Sequence, residues 1–382
     1  MNRSLRIFYS ALFLALLLVL GGLSLRAFSD YSVPPGTTWL DGKWAKALET
    51  RYDAEFPLKR LGTNLWAALD YTLFEEGRPG VILGRQDWLF SDEEFKPVAR
   101  GEQHIEDNLR LIRGVQQTLE QRGIELLLVI VPAKARVYPE YLAEEQPARL
   151  QRGLYRRFHA DLAKADIAAP DLLAMLQQGK ANTALFLRTD THWTPQGAEL
   201  VAAHLARIIQ REAPLSGAAQ QFVTDIDASR PYHGDLTRFL PLDPLFSKLL
   251  PPPDPLQVRS TRAVDSGQAD EAAALFADLR IPLVLVGTSY SANPNWNFLG
   301  ALRQALGSDL LSYAEDGHGP LLPMLKYLQT DAFKDSPPQL VIWEFPERYL
   351  PMATDLSQLD PQSVEQLKAA AAPGQRLTAT AK

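Results

Sequence analysis

Four short apolar runs, with helical segments between them, constrain the fold of this chain more than any other feature. Residues 126–131 form a continuous apolar run, typical of a strand that is buried on both faces of a sheet. Before it, apolar residues from 105 to 119 recur at spacings of three and four, the period of an amphipathic helix. The other strand-like runs are residues 183–187, 281–286 and 340–343. Strands that alternate with helices predict an α/β fold with a doubly wound, mostly parallel sheet.

The amino terminus carries a second constraint. Residues 7–25 form an uncharged, leucine-rich run that follows Arg3 and Arg6. Its length suits a membrane-spanning helix, and basic residues on the short amino side favour a cytoplasmic start. A cleaved signal peptide is the alternative, but no clear Ala-x-Ala site follows, so residues 1–28 are interpreted as an uncleaved signal anchor. In either interpretation the remaining chain is exported, which in a Gram-negative cell means to the periplasm. An uncleaved anchor would hold it at the inner membrane.

The rest of the chain divides by composition. Residues 29–80 are rich in aromatic side chains and are expected to form an ordered lead-in that packs on the main domain, residues 81–350. Residues 213–271 show few clean periods and include Pro251-Pro252-Pro253, so they are interpreted as an insertion into that domain. The tail, residues 351–382, has a polar end after several alanines and is predicted to be disordered.

Composition excludes several kinds of chemistry. The 382 residues include no cysteine, which rules out disulfides, thiolate catalysis and cysteine metal sites. The formal net charge of −6 gives no basis for a nucleic-acid partner. A fraction of 46% hydrophobic residues is enough for a full globular core.

An acid and a histidine stand two residues apart after the run at 183–187. Asp190-Thr191-His192-Trp193 leads into a predicted helix that starts at Pro195, with Thr194 as its N-cap. An Asp so close to a His can fix the imidazole tautomer and stabilise the imidazolium, as a general base requires. Asp and Thr are also common helix caps, so the pair alone is ambiguous. A catalytic interpretation needs a nucleophile at another strand end.

Ser289 is a candidate for that nucleophile. The run at 281–286 ends in Gly287-Thr288-Ser289, and a serine just beyond a buried strand and a glycine can be exposed on a sharp turn. On its own this pattern is more often ordinary turn chemistry. Together with Asp190 and His192, however, it supplies a nucleophile, a base and an orienting acid.

These motifs resemble a known family. Asp190-Thr191-His192-Trp193 upstream of Gly287-Thr288-Ser289 is similar to the SGNH-hydrolase-like domain of alginate O-acetyltransferases, the AlgJ and AlgX group. In ordinary SGNH hydrolases the serine motif comes first, and the reversed order resembles the circular permutation of this group. The similarity spans roughly residues 30–350, and an uncleaved anchor fits the AlgJ branch better than AlgX, which also carries a carbohydrate-binding module.

The resemblance implies an SGNH-hydrolase-like α/β/α sandwich with Ser289 as nucleophile, His192 as general base and Asp190 as the residue that orients it. It also implies acetyl transfer to mannuronate hydroxyls of alginate. The implied partners are a membrane-bound O-acyltransferase and other proteins of an acetylation complex. An acetyl donor is required, and no further cofactor is expected.

Five further residues are candidates for substrate binding. Lys134 and Arg136 follow the strand at 126–131 and could draw a polyuronate to the rim of the sheet, although a solvated loop is an equal alternative. Tyr290, Trp193 and Tyr349 could line the pocket or stack on a sugar, but aromatics at such places are as often core residues.

Three alternatives remain open on the sequence. An esterase could use the same triad, because water and a sugar hydroxyl differ only in which acceptor reaches the acyl-enzyme. A non-catalytic scaffold could bind polysaccharide or partner proteins. A zinc site built on Asp190 and His192 is disfavoured because the other histidines lack the usual paired spacing, so no metal is expected.

Overall fold

The computed structural model describes residues 3–26, 40–213, 215, 219–264 and 281–370. By their contacts these residues form two compact units. The first, here called the N-terminal unit, comprises Met1–Arg78 and Arg238–Leu250. The second, the main unit, comprises Pro79–Thr237 and Pro251–Lys382. The described residues of the predicted lead-in, up to Arg78, therefore belong to the same unit as residues 3–26 and 238–250. The packing of the lead-in on the main domain remains a prediction.

The N-terminal unit is helical. Its first helix is long and apolar, and Arg3–Leu25 could cross a membrane by length and composition. Asn64 in the third helix is buried and donates from Nδ2 to the carbonyl of Pro241, which ties the lead-in to the segment at 238–250. The helices are α1 (Arg3–Arg26), α2 (Lys43–Glu55) and α3 (Pro57–Leu69), with a π-helical turn at Asp70–Phe74.

The main unit alternates strands and helices, as the periodicity predicts. In chain order its elements are β1 (Val81–Leu83), β2 (Leu89–Ser91), α4 (Gly101–Glu120), β3 (Glu125–Val131), α5 (Lys134–Val137), α6 (Arg149–Arg152), α7 (Leu154–Lys164), α8 (Leu172–Gly179), α9 (Pro195–Glu212), β4 (Phe222–Ile226), β5 (Arg230–Tyr232), β6 (Asp254–Leu256), β7 (Arg259–Ala263), β8 (Leu283–Val286), α10 (Ser289–Ala292), α11 (Phe298–Leu306), β9 (Leu310–Ser312), α12 (Leu321–Tyr327), α13 (Asp331–Asp335), β10 (Leu340–Pro346) and α14 (Pro361–Ala370). Short 3-10 helices of this unit lie at Asp92–Glu94, Pro139–Tyr141 and Glu347–Tyr349. Another, Asp235–Phe239, begins in the main unit and ends in the N-terminal unit, to which the one at Ser247–Leu249 belongs.

A parallel four-stranded sheet forms the centre of the main unit. Its order is β3-β10-β8-β9, and every neighbouring pair is parallel. Trp343 of β10 lies opposite Leu128 of β3 on one side and Val286 of β8 on the other. The carboxyl ends of β3, β10 and β8 therefore meet at one edge, where ligand sites form in such sheets.

Alternation along the strands divides the core into two layers. In β3, Leu127 and Val129 pack with α8, α9 and α11 on one face of the sheet. Leu128 and Ile130 pack with α4, α7 and α12 on the other face. Because both faces are covered by helices, the strands are apolar throughout, which explains the continuous runs in the sequence. The predicted α/β/α sandwich is confirmed.

The predicted strand at residues 183–187 is wrong. Phe186 forms a single antiparallel bridge with Trp193, and no other residue of the run pairs with a strand among the described residues. The run is apolar because Leu185, Phe186 and Leu187 are buried against the helices of one core layer, not because it enters the sheet. Burial alone gives a strand and a packed loop the same composition.

The insertion contains regular strands, and the described part of the tail is more ordered than expected. Within residues 213–271, β4 pairs with β7 and β5 with β6, both antiparallel. In the predicted disordered tail, α14 packs on α4, and Val364 is buried. The carbonyl of Leu367 lies so close to Gly114 that a Cβ there would come within 2.1 Å of it. Residues 371–382 lie outside the described residues.

Candidate active site

The turn after β8 presents Ser289. A Cβ on Gly287 would lie 2.5 Å from Oε2 of Glu344, so only glycine fits this position without displacing the carboxylate. Glu344, fully buried on β10, accepts from the backbone N–H of Thr288 at 2.7 Å and from the Ser291 hydroxyl at 3.0 Å. Burial raises the pKa of Glu344, although these hydrogen bonds oppose the shift. Glu344 of β10, the strand next to β8, thus fixes the turn that carries Ser289 by hydrogen bonds.

A tight loop presents the acid and the histidine. The backbone N–H of Leu187 donates to the carbonyl of His192 at 3.1 Å, and that of Thr194 donates to the carbonyl of Leu185 at 2.9 Å. The Thr194 hydroxyl accepts from the N–H of Gly197 at 3.0 Å, which confirms the predicted N-cap of α9. These two backbone hydrogen bonds close the loop on itself, and no strand of the sheet directly precedes it in the described chain.

Ser289, His192 and Asp190 form one hydrogen-bonded chain. Oγ of Ser289 lies 2.7 Å from Nε2 of His192, and Nδ1 of His192 lies 2.6 Å from Oδ1 of Asp190. With the Nδ1 proton donated to the carboxylate, Nε2 is left as the acceptor for the serine hydroxyl. All three residues are buried, so the chain is shielded from competing water. This is the arrangement that a general base and its nucleophile require.

Asp190 is held as a carboxylate. Its Oδ1 also accepts from the backbone N–H of His192 at 2.9 Å, while Oδ2 accepts from the Tyr232 hydroxyl at 3.0 Å and from the N–H of Asp235 at 2.9 Å. Burial alone would raise the pKa of Asp190. The hydrogen bond and charge of His192, with the backbone donors, outweigh burial and hold that pKa well below its usual range.

Tyr232 and Asp235 are site residues that the sequence analysis missed. Both belong to the segment interpreted as an insertion, and the only signal was the polar string Pro231-Tyr232-His233-Gly234-Asp235. Besides binding Asp190, Asp235 accepts from the backbone N–H of Thr191 at 2.9 Å and from its hydroxyl at 2.7 Å. The Thr191 hydroxyl lies 3.1 Å from Nδ1 of His192, so Asp235 supports the histidine through Thr191.

Asp190, His192 and Asp235 lie close enough together to hold a cation. Ligand atoms of Asp190, His192 and Asp235 lie within 4.8 Å of one another. The hydrogen bonds already described occupy Nδ1 of His192, and all four carboxylate oxygens of Asp190 and Asp235 face N–H or O–H donors. A donor set engaged in this way fits a proton chain better than a metal site, and the absence of a metal remains a prediction.

Aromatic rings enclose the histidine. The indole of Trp296 stacks on the imidazole at 5.0 Å and 19°, and its Nε1 donates to the carbonyl of Ser289 at 3.1 Å. The ring of Tyr290 lies 4.7 Å from that of His192, and its hydroxyl donates to the carbonyl of Thr191 at 2.6 Å. Trp296 therefore fixes both the base and the nucleophile, and it was not identified from the sequence.

Two of the predicted substrate-binding aromatics are core residues. Trp193 is fully buried and packs edge-on against Tyr290, and Tyr290 is buried in turn beneath the histidine. Neither ring offers a surface on which a sugar could stack, so the placement of both in a sugar pocket is wrong. Tyr349 is half-buried, with the Arg348 guanidinium 5.0 Å from its ring centre, and its role in substrate binding remains a prediction.

Lys134 does not lie on the rim of the sheet. It is 0% exposed, and its Nζ donates to the carbonyls of Leu89, Arg188 and Asp190 at 2.6–2.9 Å. Burial lowers the pKa of Lys134 to about 8, against the opposing charges of nearby carboxylates such as Asp254. The predicted contact with substrate is therefore wrong. The buried ammonium of Lys134 instead joins the first residue of β2 to the loop that carries Asp190.

Arg136 is also engaged by the protein. Its Nε lies 2.7 and 2.8 Å from the two carboxylate oxygens of Glu347, and Nη1 donates to the carbonyl of Arg152. It borders a cavity of about 620 Å³ that is also lined by Arg152, Arg156 and Arg157. Arg136, which was predicted to bind a polyuronate, is thus paired with Glu347. The other three arginines that line the cavity form a basic surface beside it.

Comparison with known proteins agrees with this geometry. Residues 81–347 match the model of the SGNH hydrolase-like domain of acetyltransferase AlgX. The chain belongs to the AlgX family of SGNH-hydrolase-like acetyltransferases. The expected resemblance is confirmed, and the protein is an O-acetyltransferase of this type.

Relatives within the AlgX family match over nearly the whole chain. A protein of Pseudomonas syringae pv. tomato named "Probable alginate O-acetylase AlgJ" is 62% identical over 368 residues, which cover 96% of this chain and 94% of that one. One of the same name from Pseudomonas aeruginosa is 55% identical over 387 residues, with 99% and 98% covered.

Solved structures of the AlgX family match as well. The O-acetyltransferase domain of Pseudomonas putida AlgJ superposes with a TM-score of 0.71 at 60% identity, covering 77% of this chain and 100% of that domain. Pseudomonas aeruginosa AlgX, at 22% identity, has a TM-score of 0.53 over 83% of this chain and 69% of its own, and shows the shared fold.

Proposed function

We propose that this O-acetyltransferase works through an acetyl-enzyme formed on Ser289, with His192 as general base and Asp190 as its orienting acid. The observation that carries the proposal is the continuous chain from Oγ of Ser289 through the imidazole to the Asp190 carboxylate, at 2.7 and 2.6 Å. Each member has the donor or acceptor state that proton transfer needs, and Asp190 is held ionised.

In the first half-reaction His192 Nε2 takes the proton of the Ser289 hydroxyl while Oγ attacks the carbonyl carbon of an acetyl donor. The bond between the acetyl group and the donor then breaks, and His192 returns the proton to the leaving group. In the second half-reaction His192 deprotonates a sugar hydroxyl, whose oxygen attacks acetyl-Ser289. The acetyl group leaves on the sugar, and the proton returns to Ser289. The Asp190 carboxylate stabilises the imidazolium in both halves.

We infer that the acceptor is alginate and that its mannuronate hydroxyls receive the acetyl group. Relatives that share 55–62% of the sequence carry the name alginate O-acetylase, which supports this acceptor. The arginine-lined cavity beside Arg136 could bind an anionic polymer, because guanidinium groups form bidentate hydrogen bonds with carboxylates.

We also propose that the catalytic unit acts in the periplasm, anchored to the inner membrane by α1. An apolar helix of this length near the amino terminus supports that location. At the membrane the enzyme would receive acetyl groups from a membrane-bound O-acyltransferase, together with other proteins of an acetylation complex. The reaction as proposed uses no cofactor besides the acetyl donor.

Transfer can be separated from hydrolysis by one assay. The full chain is incubated with an activated acetyl ester, with and without mannuronate oligomers, and acetate and acetylated oligomer are both measured. The proposal predicts acetylated oligomer with the wild type and none with Ser289→Ala. Ser308→Ala, a serine away from the site, is the control and should behave as the wild type. Release of acetate without acetylated oligomer would indicate an esterase, and activity retained in Ser289→Ala would indicate another nucleophile or a scaffold.

A further inference from the structure

An exposed apolar stripe runs along α3 and the π-helical turn that follows it. Leucines at spacings of four residues lie on one side of the helix, where side chains at i and i+4 are neighbours. Trp66 is 65% exposed and Phe74 is 63% exposed. The stripe consists of Leu61, Leu65, Trp66, Leu69, Leu73 and Phe74.

This stripe is not the side on which the helix packs. Asn64 and Ala68 are the buried residues of α3, and Asn64 bonds to the carbonyl of Pro241. The helix therefore already has a packed face, and the leucine stripe is a second apolar face with no cover in the described chain. A contiguous surface of this kind marks a contact with a membrane or another molecule.

The position of the stripe favours a membrane. The hydroxyl of Ser24, in the last turns of α1, donates to the Tyr52 hydroxyl at 2.9 Å, so α2 touches the end of the apolar helix. Tyr52 stacks on Phe56 at 5.2 Å, and Phe56 is the residue that precedes α3. The helix α1 also contacts α3. Since Arg3–Leu25 is about as long as the bilayer core is thick, its end lies at the level of the lipid headgroups, and α3 lies beside it.

We propose that the stripe inserts into the interface between the headgroups and acyl chains of the phospholipid bilayer, on the side where α1 ends. Leucine, tryptophan and phenylalanine on one side of a helix are the residues that make this contact in interfacial helices. The helix α3 then lies in the membrane plane and gives the N-terminal unit a second point of attachment beside α1. The inference rests on the proposed membrane anchorage of α1.

The experiment exploits the absence of cysteine, because a single introduced thiol can be labelled alone. Leu65→Cys places an environment-sensitive fluorophore on the stripe, and Arg60→Cys places it at an exposed position outside the stripe. The full chain is reconstituted in phosphatidylcholine and phosphatidylglycerol vesicles and floated on a density gradient. Quenching is then measured with a nitroxide-labelled lipid and, separately, with iodide in the water.

We expect the Leu65 label to be quenched several-fold more by the lipid nitroxide than the Arg60 label, and iodide to show the reverse order. The same result is expected with Leu73→Cys, which guards against a local effect of one substitution. Equal iodide quenching at both positions in vesicles that float would overturn the stripe proposal alone. Protection of the Leu65 label from both quenchers would indicate protein contact instead of lipid, and would also overturn it. Failure of the chain to float would overturn the anchor as well.

Discussion

Oγ of Ser289 lies 2.7 Å from Nε2 of His192, although the two residues are 97 positions apart in the chain. The serine comes from the turn after a central strand, and the histidine comes from a loop closed on itself beside the sheet. The hydroxyl of Tyr290, next to the serine, donates to the carbonyl of Thr191 in that loop, so the two elements are joined by a second hydrogen bond. The contact between Ser289 and His192 also depends on the residues that hold each loop, and these residues give the following predictions.

Asp190→Asn should lower kcat for acetyl transfer by about a thousandfold to ten-thousandfold, as the loss of the acid does in comparable triads. Asp190 accepts hydrogen bonds on both oxygens, so an amide nitrogen would face a donor and the imidazolium would lose its counter-charge. Kinetics at saturating acceptor measure the effect. Asp225→Asn, at an exposed aspartate, is the control and should keep normal kcat. Near-normal turnover in Asp190→Asn would contradict the assigned role.

The depressed pKa of Asp190 predicts a loss of stability in acid. Its folded pKa lies below the unfolded value of about 3.9, so the ionised carboxylate stabilises the fold above that pH. This contribution declines as pH falls below about 4, towards the folded pKa. Urea unfolding of wild type and Asp190→Asn should therefore show a difference in free energy that shrinks between about pH 5 and pH 3. A difference that stays constant or grows in acid would contradict the prediction.

Tyr232→Phe should have a smaller effect than Asp190→Asn. The change removes one hydrogen bond to Oδ2 of Asp190 and keeps the ring that packs edge-on against Trp296. A hydrogen bond to a charged group contributes about 1.5–3 kcal/mol, so kcat should fall by about tenfold to 150-fold. Tyr313→Phe, which keeps a ring tilted at 45° against that of Tyr327, is the matched control. Complete loss of activity with an intact fold would mean that Tyr232 acts on substrate directly.

Lys134→Met should destabilise the fold by at least about 2 kcal/mol, because three buried carbonyls lose their donor. One of them belongs to Asp190, so residual activity should also fall. Lys164→Met, at an exposed lysine paired only with Asp161 among the described residues, should change stability by less than about 0.5 kcal/mol. Chemical unfolding measures both variants. Equal stabilities would show that the hydrogen bonds of Lys134 do not stabilise the fold.

Three strands of the sheet, β3, β8 and β10, could be predicted from the sequence because burial on both faces leaves continuous apolar runs. The edge strand β9, with two of its three residues exposed, was not identified. Residues 183–187 show the limit of that argument, since packing under helices gave a loop the same composition as a strand. The triad was found by residue type and order. Its supports were not: Lys134 looks like a surface lysine until its three carbonyl partners are known, and Tyr232 reaches Asp190 from 42 positions away. Long-range partners of this kind leave no local pattern.

The most direct test of the account is the site of acetylation. The full chain is exposed briefly to an activated acetyl ester without acceptor, quenched in acid, and examined by intact mass spectrometry followed by peptide fragmentation. The account predicts the added mass of one acetyl group on Ser289, absent in Ser289→Ala and discharged when mannuronate oligomers are added before the quench. An acetyl group on another residue that turns over at the rate of transfer, or transfer with no acetyl-enzyme at all under these conditions, would contradict it.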